Sequence, residues 1–538
     1  MEKPISRSIS GDGGKDYDSK EATIARSASD ERIETDVAPN EDLHRGLKSR
    51  QISMIAIGFV RFVSLDGTGL ARGGPVGLFL GYAIMGAVCF CVMMSLGEMA
   101  TYLPHKKGFA GYATRFVDPA MGFATGLNYL MKYLIVTPNN IVSGAIVVQY
   151  WTDVVPVGAW IAIYIVGIVL VNLLGIRVFG EVEFWMSLVI DLGGAPNRER
   201  LGFRYWREQP FSYYIFDNDT GVFLGVWAVM VNALFAYMGS ELVGVTFGEA
   251  KNPRKTIPKT IKSTLFRLVF FYVGATFCLG LIVKANDPEL LRSLKESTGA
   301  AASPFVLAIR RANIRVLPDI LNASILLFVL SAANSDLYIG SRTLYALAAE
   351  NHVPRIFMRT NSRGTPFVAL AFCSAFCCLS FMAVSSGSRQ VFTYFVALVT
   401  IFGALTWLSI LFSHIRFMQA LKAQGISRDT LPWKAPFQPY AAWFAFIVTS
   451  IVTLFKGFDA FTPKFNHKTF ITSYLGLPIY IALYFGYKFW HKTKIIPLHE
   501  VDLISGRREF DEDEAQENER RGSKPQNKNI FRKIWDMF

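Results

Sequence analysis

The sequence has little charge for its length, and this scarcity indicates the class of protein. Only 18% of its 538 residues are Asp, Glu, Lys or Arg, whereas 51% are hydrophobic. A typical soluble chain is about a quarter charged. The charge is confined to the two ends and to short stretches between long apolar runs. We therefore predict that lipid surrounds most of the chain, because one membrane crossing takes about 20 mostly apolar residues.

Motifs for metal binding and catalysis are also lacking. The six cysteines lie in apolar segments without histidines at metal-ligand spacing, so we expect neither a disulfide framework nor a metal site. No paired nucleophile and base and no phosphate-binding loop occur, which argues against an enzyme and against a cofactor. The net charge of +13 indicates basic loops that orient the chain in a membrane, not a nucleic-acid partner.

Ten apolar runs are long enough to be clear membrane crossings, and two weaker candidates at 51–70 and 182–192 raise the number to twelve. The clear runs lie at about 75–100, 120–150, 157–175, 222–247, 265–284, 317–347, 366–386, 391–413, 441–457 and 470–490. An even number places both ends on one side, and the basic loops place that side in the cytosol. We thus predict a disordered cytosolic tail at 1–50, a transmembrane domain at 51–491 and a cytosolic tail at 492–538.

Five motifs between the second and the eleventh predicted crossing carry a family resemblance. They are SLGEMATYLP at 95–104, GSELVG at 239–244, GEAKNPRKTIP at 248–258, SAANSDLY at 331–338 and LPWKAPF at 431–437. With these motifs the chain resembles the fungal amino-acid permeases of the amino acid–polyamine–organocation superfamily, of the general or broad-specificity type. The resemblance extends from about residue 44 to 510.

The resemblance implies an all-α polytopic membrane fold of twelve helices, in which two inverted five-helix repeats are followed by two further helices. The substrate site would lie at mid-membrane, where the first and sixth helices are unwound. The implied function is a secondary active transporter that imports L-amino acids across the plasma membrane, coupled to protons as in its relatives. The implied partners are an amino-acid substrate, protons, membrane lipid and regulatory or trafficking proteins on the tails.

Polar residues and glycines within the predicted crossings are the candidate substrate-binding residues. They are Gly67, Thr68, Gly69, Thr137, Asn140, Phe235, Gly239, Ser240, Glu241, Gly244, Asn334 and Ser335. Gly239 and Gly244 flank a short polar stretch in an apolar run, as a discontinuous helix requires. Glu241 either handles substrate or protons, or is a structural carboxylate bonded to another helix.

Polar residues of the third and eighth crossings also allow two interpretations, since such residues often hold helices together. For Asp336 we favour the helix–helix contact. Many relatives have Glu at the position of Asn140, and an amide there argues against a carrier dedicated to arginine or lysine. Glu98 is interpreted as structural, and we expect His414 and Arg416 to be a cationic helix end that reaches the membrane surface.

The chain departs from the family pattern at two crossings. In the first, Arg61 and Asp66 lie where relatives have a glycine- and threonine-rich break, and residues 67–69 only echo that motif. In the fifth, seven apolar residues at 184–190 would span about 10 Å, and the lysine of proton-coupled relatives is absent. The first helix is thus altered and the fifth truncated. The alternatives are a non-transporting amino-acid sensor or an inactive product of a defective gene model.

Overall fold

The computed structural model describes residues 59–103, 108–152, 154–174, 202–245, 253–295, 317–361, 364–462 and 464–505. They belong to one compact unit, and every regular element in them is a helix. The α-helices are α1 Phe59–Tyr102, α2 Gly108–Phe116, α3 Pro119–Val148, α4 Val157–Leu174, α5 Arg204–Glu208, α6 Asp219–Tyr237, α7 Leu242–Val245, α8 Pro253–Ile282, α9 Pro288–Lys295, α10 Leu317–Ala349, α11 Phe367–Cys377, α12 Met382–Ser386, α13 Ser388–Ala423, α14 Tyr440–Phe455, α15 His467–Tyr474 and α16 Gly476–His491.

Eight spans among the described residues are long and apolar enough to cross a membrane, and α15 with α16, bent by 41°, forms a ninth. The shorter apolar helix α4 falls at the predicted crossing 157–175. Each of the ten clear predicted crossings therefore coincides with apolar helix, and the all-α membrane fold is confirmed for the described residues. The predicted crossing at 182–192 and the tail at 1–50 lie outside those residues. The division into two inverted five-helix repeats and two further helices stays a prediction.

Helix α1 contains a sharp reversal at Gly74, where φ is 71° and ψ is 176°. A Cβ atom placed on Gly69, on Gly73 or on Gly81 would lie within 4 Å of the Val229 side chain. Gly69 and Gly81 would be about 18 Å apart along a straight helix. One valine can reach both only because the chain turns back at Gly74, so residues 69–73 fold against the helix that follows.

Helix α3 lies at the centre of the molecule, between α10 and α13, while α1 packs against α6 and α8. Of the 30 residues of α3, 23 are buried, including its polar ones. The outward faces of peripheral helices, in contrast, expose large apolar side chains such as Phe266, Phe270 and Phe489. A helix that is apolar on its outer face as well as its inner face is suited to lipid on the outside.

The predicted C-terminal tail begins with a segment that is docked on the helical domain. This segment, residues 495–505, is called here the C-terminal strap. The N–H of Ile496 donates to the carbonyl of Val117 at 2.9 Å, and Arg115 forms an ion pair with Asp502 at 2.9 Å. Its buried apolar side chains are Val501 and Leu503. The strap thus connects the end of α2 and the residue before the α3 cap to the C-terminal end of α13, where Gln424 donates to the carbonyls of Leu498 and Val501.

Candidate functional site

The helix of the sixth predicted crossing is broken in the interior of the molecule. Helix α6 ends at Tyr237, α7 begins at Leu242, and the side chains of the intervening residues 238–241 are buried. Met238 has extended backbone, and Gly239 has a φ of 105°, a conformation that favours glycine. A break at this depth leaves main-chain groups without helical partners, and these groups need other partners because no water surrounds them.

Turn bonds within the chain satisfy the N–H groups of Met238, Ser240 and Leu242. The carboxylate of Glu241 is the partner of the remaining one, the N–H of Gly239. Its Oε2 accepts hydrogen bonds from the Gly239 N–H at 2.9 Å and from Trp407 Nε1 at 3.1 Å. Its Oε1 accepts a hydrogen bond from the Lys132 ammonium. The side chains of Lys132 and Glu241 are both 0% exposed. One carboxylate therefore joins the helix break to α3 and to α13.

Lys132 is a site residue that the sequence reasoning missed. Its ammonium lies over the ring of Tyr129, 5.0 Å from the centroid, and over the ring of Tyr133 at 5.2 Å. The two tyrosine hydroxyls are hydrogen-bonded to each other at 3.0 Å. The missed signal was a single lysine inside an apolar run, because a cation in a membrane span is costly and is normally paired. Its partner, Glu241, is 109 residues away.

A second polar pair joins α3 to α10. Asn140 Nδ2 donates to Asp336 Oδ2 at 2.7 Å, so Asp336 makes the helix–helix contact that the sequence favours. Lys132 and Asn140 are eight residues apart in α3, so the two polar pairs are about 12 Å apart along that helix. Asn334 faces α4 instead, where its side-chain oxygen accepts from Asn172 at 2.7 Å.

The remaining candidates of the sixth crossing surround the break. Ser240 Oγ lies 3.3 Å from Cys89 Sγ of α1, and Phe235 is buried at the end of α6. Gly244 packs so tightly on Leu96 that a Cβ atom there would lie 2.4 Å from the leucine side chain. Helix α1 therefore forms a wall of the same site.

The other candidates lie apart from this break. The Thr137 hydroxyl donates to the carbonyl of Tyr133 in its own helix at 3.0 Å, and Ser335 is half-buried in α10. Residues 67–69 are helical, and Thr68 accepts a hydrogen bond from Asn232 of α6 at 3.3 Å. The structure does not bring them to Glu241, so their role in substrate binding stays a prediction.

A second buried carboxylate lies near the end of α1. Glu98 Oε1 accepts from Arg428 Nε at 2.7 Å, and Glu98 Oε2 lies 3.2 Å from His414 Nε2. The side chains of Glu98 and His414 are 0% exposed. The expectation that His414 reaches the membrane surface is therefore wrong, because its ring faces this carboxylate. Glu98 links α1, α13 and the loop that follows α13, as expected of a structural residue.

Comparisons with known proteins agree with a transport function. A model of the amino acid permease family matches residues 51–500. The chain is 46% identical over 500 residues to the dicarboxylic amino acid permease of Saccharomyces cerevisiae, which covers 89% of this chain and 82% of that protein. It is 39% identical to the lysine-specific permease of Saccharomyces cerevisiae, covering 92% and 83% of the two chains. It is 37% identical to the proline-specific permease of Emericella nidulans, covering 89% and 91%.

The fold is similar to that of a solved manganese transporter from Eremococcus coleocola. The TM-score is 0.51, and the match covers 86% of this chain and 94% of the other. Only 12% of the aligned residues are identical, so the likeness concerns the fold alone.

Proposed function

Because the chain belongs to the amino acid permease family, we propose that it is a proton-coupled secondary transporter that imports L-amino acids, with acidic amino acids preferred. The family accounts for amino-acid transport, whereas the coupling ion and the preferred substrate are our proposal. The observation that carries it is the buried carboxylate of Glu241 at the helix break. This carboxylate accepts a hydrogen bond from the Gly239 N–H and forms an ion pair with Lys132. The chemistry of this pair suggests how a proton and a substrate enter together.

The Glu241 carboxylate occupies the donors that a substrate carboxylate would need. Those donors are the Gly239 N–H, Trp407 Nε1 and the Lys132 ammonium. An amino acid brings the same chemical group, so it competes with Glu241 for them. A proton on Glu241 neutralises that side chain and weakens its hold on the donors. Protonation and substrate binding therefore favour each other, which is the thermodynamic requirement for coupling.

Charge balance favours an acidic substrate. Once Glu241 is protonated, its charge no longer offsets that of Lys132 in a site of low dielectric, and an anionic ligand would supply a negative charge in its place. A lysine substrate would instead bring a second cation. Asn140 places an amide in α3 where a carboxylate would attract cationic side chains. The 46% identical relative named for dicarboxylic amino acids supports the same class.

The proposal includes a location and an orientation. We place the protein in the plasma membrane with both termini in the cytosol, because the basic residues cluster on the loops that this orientation puts inside. The tails at 1–50 and beyond the C-terminal strap would then be open to regulatory and trafficking proteins.

The test is uptake of radiolabelled L-glutamate by fungal cells that lack their own permeases. Accumulation should rise as the external pH falls and should collapse when a protonophore removes the proton gradient. Glu241→Gln keeps a neutral side chain of similar shape, so the variant should exchange internal for external glutamate but no longer concentrate it. The matched control is Glu208→Gln, which removes an exposed carboxylate in α5.

Two results would contradict the proposal. Binding of glutamate without accumulation by the wild-type chain would support the sensor alternative. Unlabelled lysine or proline that competes with glutamate uptake more strongly than aspartate does would reject the proposed preference for acidic substrates.

A further inference from the structure

A groove separate from the substrate site lies on the face that carries the C-terminal strap. It has a volume of about 340 Å³ and lies between the first turn of α3, the C-terminal half of α13 and the helix α16. This volume is near the lower end of the roughly 300–1,000 Å³ that ligand pockets occupy. Its walls include Met121, Phe412, Arg416, Tyr480, Tyr484 and Ile495.

The groove offers hydrocarbon contact rather than hydrogen bonds. The hydroxyl of Tyr480 is hydrogen-bonded to Thr125 Oγ1 at 3.0 Å, and that of Tyr484 donates to Asp118 Oδ2 at 3.4 Å. Both bonds are to α3 or to the residue that caps it, so the rings present mainly carbon to the groove. Such walls suit an acyl chain and would leave a zwitterionic amino acid without partners.

One end of the groove carries a cation, Arg416, that has no counterion among the described residues. The guanidinium of Arg416 donates to the carbonyls of Ile496 and, at 3.4 Å, of Phe116. Within the part of the chain that the structure describes, no carboxylate lies at ion-pair distance from it. The neighbouring cations Arg115 and Lys488, in contrast, each pair with an aspartate. An anionic group at Arg416 would therefore meet a charge that the described residues leave uncompensated.

The polar and apolar ends of the groove are ordered along the helices that line it. The carbonyls bound by Arg416 belong to Phe116, before α3 begins, and to Ile496, after α16 ends. Tyr480 lies about three turns before the C-terminal end of α16, so the groove runs from this end of the helix toward the interior of the helical domain. Exposed Phe489 and Trp490 mark the same end of α16, and aromatic side chains concentrate at membrane interfaces.

We propose that this groove binds one anionic phospholipid from the surrounding leaflet. Its phosphate and acidic headgroup lie at Arg416, and one acyl chain lies along Phe412, Met121 and Tyr480. Exposed Lys492 and Lys494 at the end of α16 add positive charge beside the headgroup. The lipid would also contact Ile495, where the C-terminal strap begins. This inference concerns the helical domain and does not depend on the substrate or the coupling ion.

The test is native mass spectrometry of the full chain released from nanodiscs. One set of nanodiscs contains phosphatidylcholine alone, and the other contains phosphatidylcholine mixed with phosphatidylserine. The wild-type chain should retain one phospholipid, with phosphatidylserine strongly over-represented relative to the mixture. Absence of a retained phospholipid, or retention in proportion to the mixture, would overturn the proposal.

A substitution inside the groove tests the acyl-chain contact. Met121→Trp fills the groove and should abolish retention of both phospholipids. Its matched control is Ile481→Trp, which adds similar bulk on the exposed face of α16 outside the groove and should leave retention unchanged. Equal loss in the two variants would mean that the retained lipid is only annular, which contradicts a specific groove.

Arg416→Gln should keep a bound phospholipid but lose the preference for phosphatidylserine several-fold, whereas Arg416→Lys should retain most of it. Because Arg416 also holds the strap, the control is Gln424→Ala. Gln424 donates to the carbonyls of Leu498 and Val501 and supports the strap without lining the groove. Loss of the preference in Gln424→Ala would show that Arg416 acts through the strap, and the headgroup contact would be rejected.

Discussion

Glu241 and Glu98 are both fully buried glutamates in membrane-spanning regions, yet their surroundings differ. Glu241 lies at a helix break and has one cation, Lys132, whose side chain is also 0% exposed. Glu98 lies near the end of α1, far from the reversal at Gly74, and faces two basic side chains, His414 and Arg428, of which Arg428 is 28% exposed. Burial of the carboxylate alone therefore does not distinguish the two sites.

The difference lies in what could replace the carboxylate. The donors around Glu241 include a main-chain N–H of the break, and a ligand carboxylate could take them over. The partners of Glu98 belong to α13 and to the loop that follows, and Arg428 also donates to the carbonyl of Ala435. We therefore interpret Glu241 as an exchangeable partner in transport and Glu98 as a permanent link between helices.

The largest effect should come from Lys132→Met, which leaves the Glu241 charge buried without a cation. We expect a loss of about 3–5 kcal/mol in stability and no uptake. The double variant Lys132→Met with Glu241→Gln should regain most of the stability but not the uptake. Thermal unfolding in detergent and uptake in cells measure the two effects, with the exposed Lys434→Met as control. If the double variant is no more stable than the single one, the ion pair is not the cause of the loss.

Arg428→Met should have a smaller effect, because Glu98 keeps His414 as a partner. We expect a loss of about 1–3 kcal/mol, as for a buried hydrogen bond to a charged group. The amount of folded protein and the maximal uptake rate should fall, while the KM for substrate stays unchanged. Uptake kinetics over a range of substrate concentrations separate the maximal rate from the KM. A changed KM would place Glu98 in the substrate site and remove the contrast with Glu241.

Asp118→Asn tests a third carboxylate, at the start of α3. Burial alone would raise the pKa of Asp118, but hydrogen bonds from Lys488 and from the Ala120 N–H hold it below its usual value. The pair therefore adds stability at neutral pH that is lost as the pH falls through the lowered pKa. Because Asn keeps the helix cap but loses the ion pair with Lys488, we expect the variant to be less stable by about 1 kcal/mol at neutral pH and equal to the wild type in strong acid. Unfolding measured against pH checks this, and a constant difference would contradict it.

The smallest effect should come from Asp429→Asn at the surface. The hydrogen bond and charge of Lys434 lower the pKa of Asp429, but the Asp429 side chain is 85% exposed. Water and salt screen such a pair, so stability and uptake should not change measurably. The same two assays are used as for Lys132→Met. A loss of stability comparable to that of Arg428→Met would mean that the burial of a carboxylate does not determine how much its ion pair contributes to stability.

Much of the fold could be predicted because apolar runs mark helices independently of their neighbours. The polar stretch around Gly239 and Glu241 was also visible, since it interrupts such a run. The partner of Glu241 was not visible in the sequence, because Lys132 is 109 residues away and is a single lysine in an apolar segment. His414 was misinterpreted for the same reason, since Glu98 is 316 residues away. The reversal at Gly74 became visible only in the structure, from its backbone angles and from the approach of Gly69 and Gly81 to the same valine, Val229.

The sequence by itself determined that lipid is the solvent of this chain, where its helices run and which family it belongs to. These properties depend on local composition and on motifs, which need no knowledge of packing. Only the tertiary structure decided which charge neutralises which, and so which buried carboxylate could exchange its partner for a ligand. The physical reason is that a charge in a low-dielectric interior must be balanced by whichever group the fold brings near, regardless of its distance along the chain.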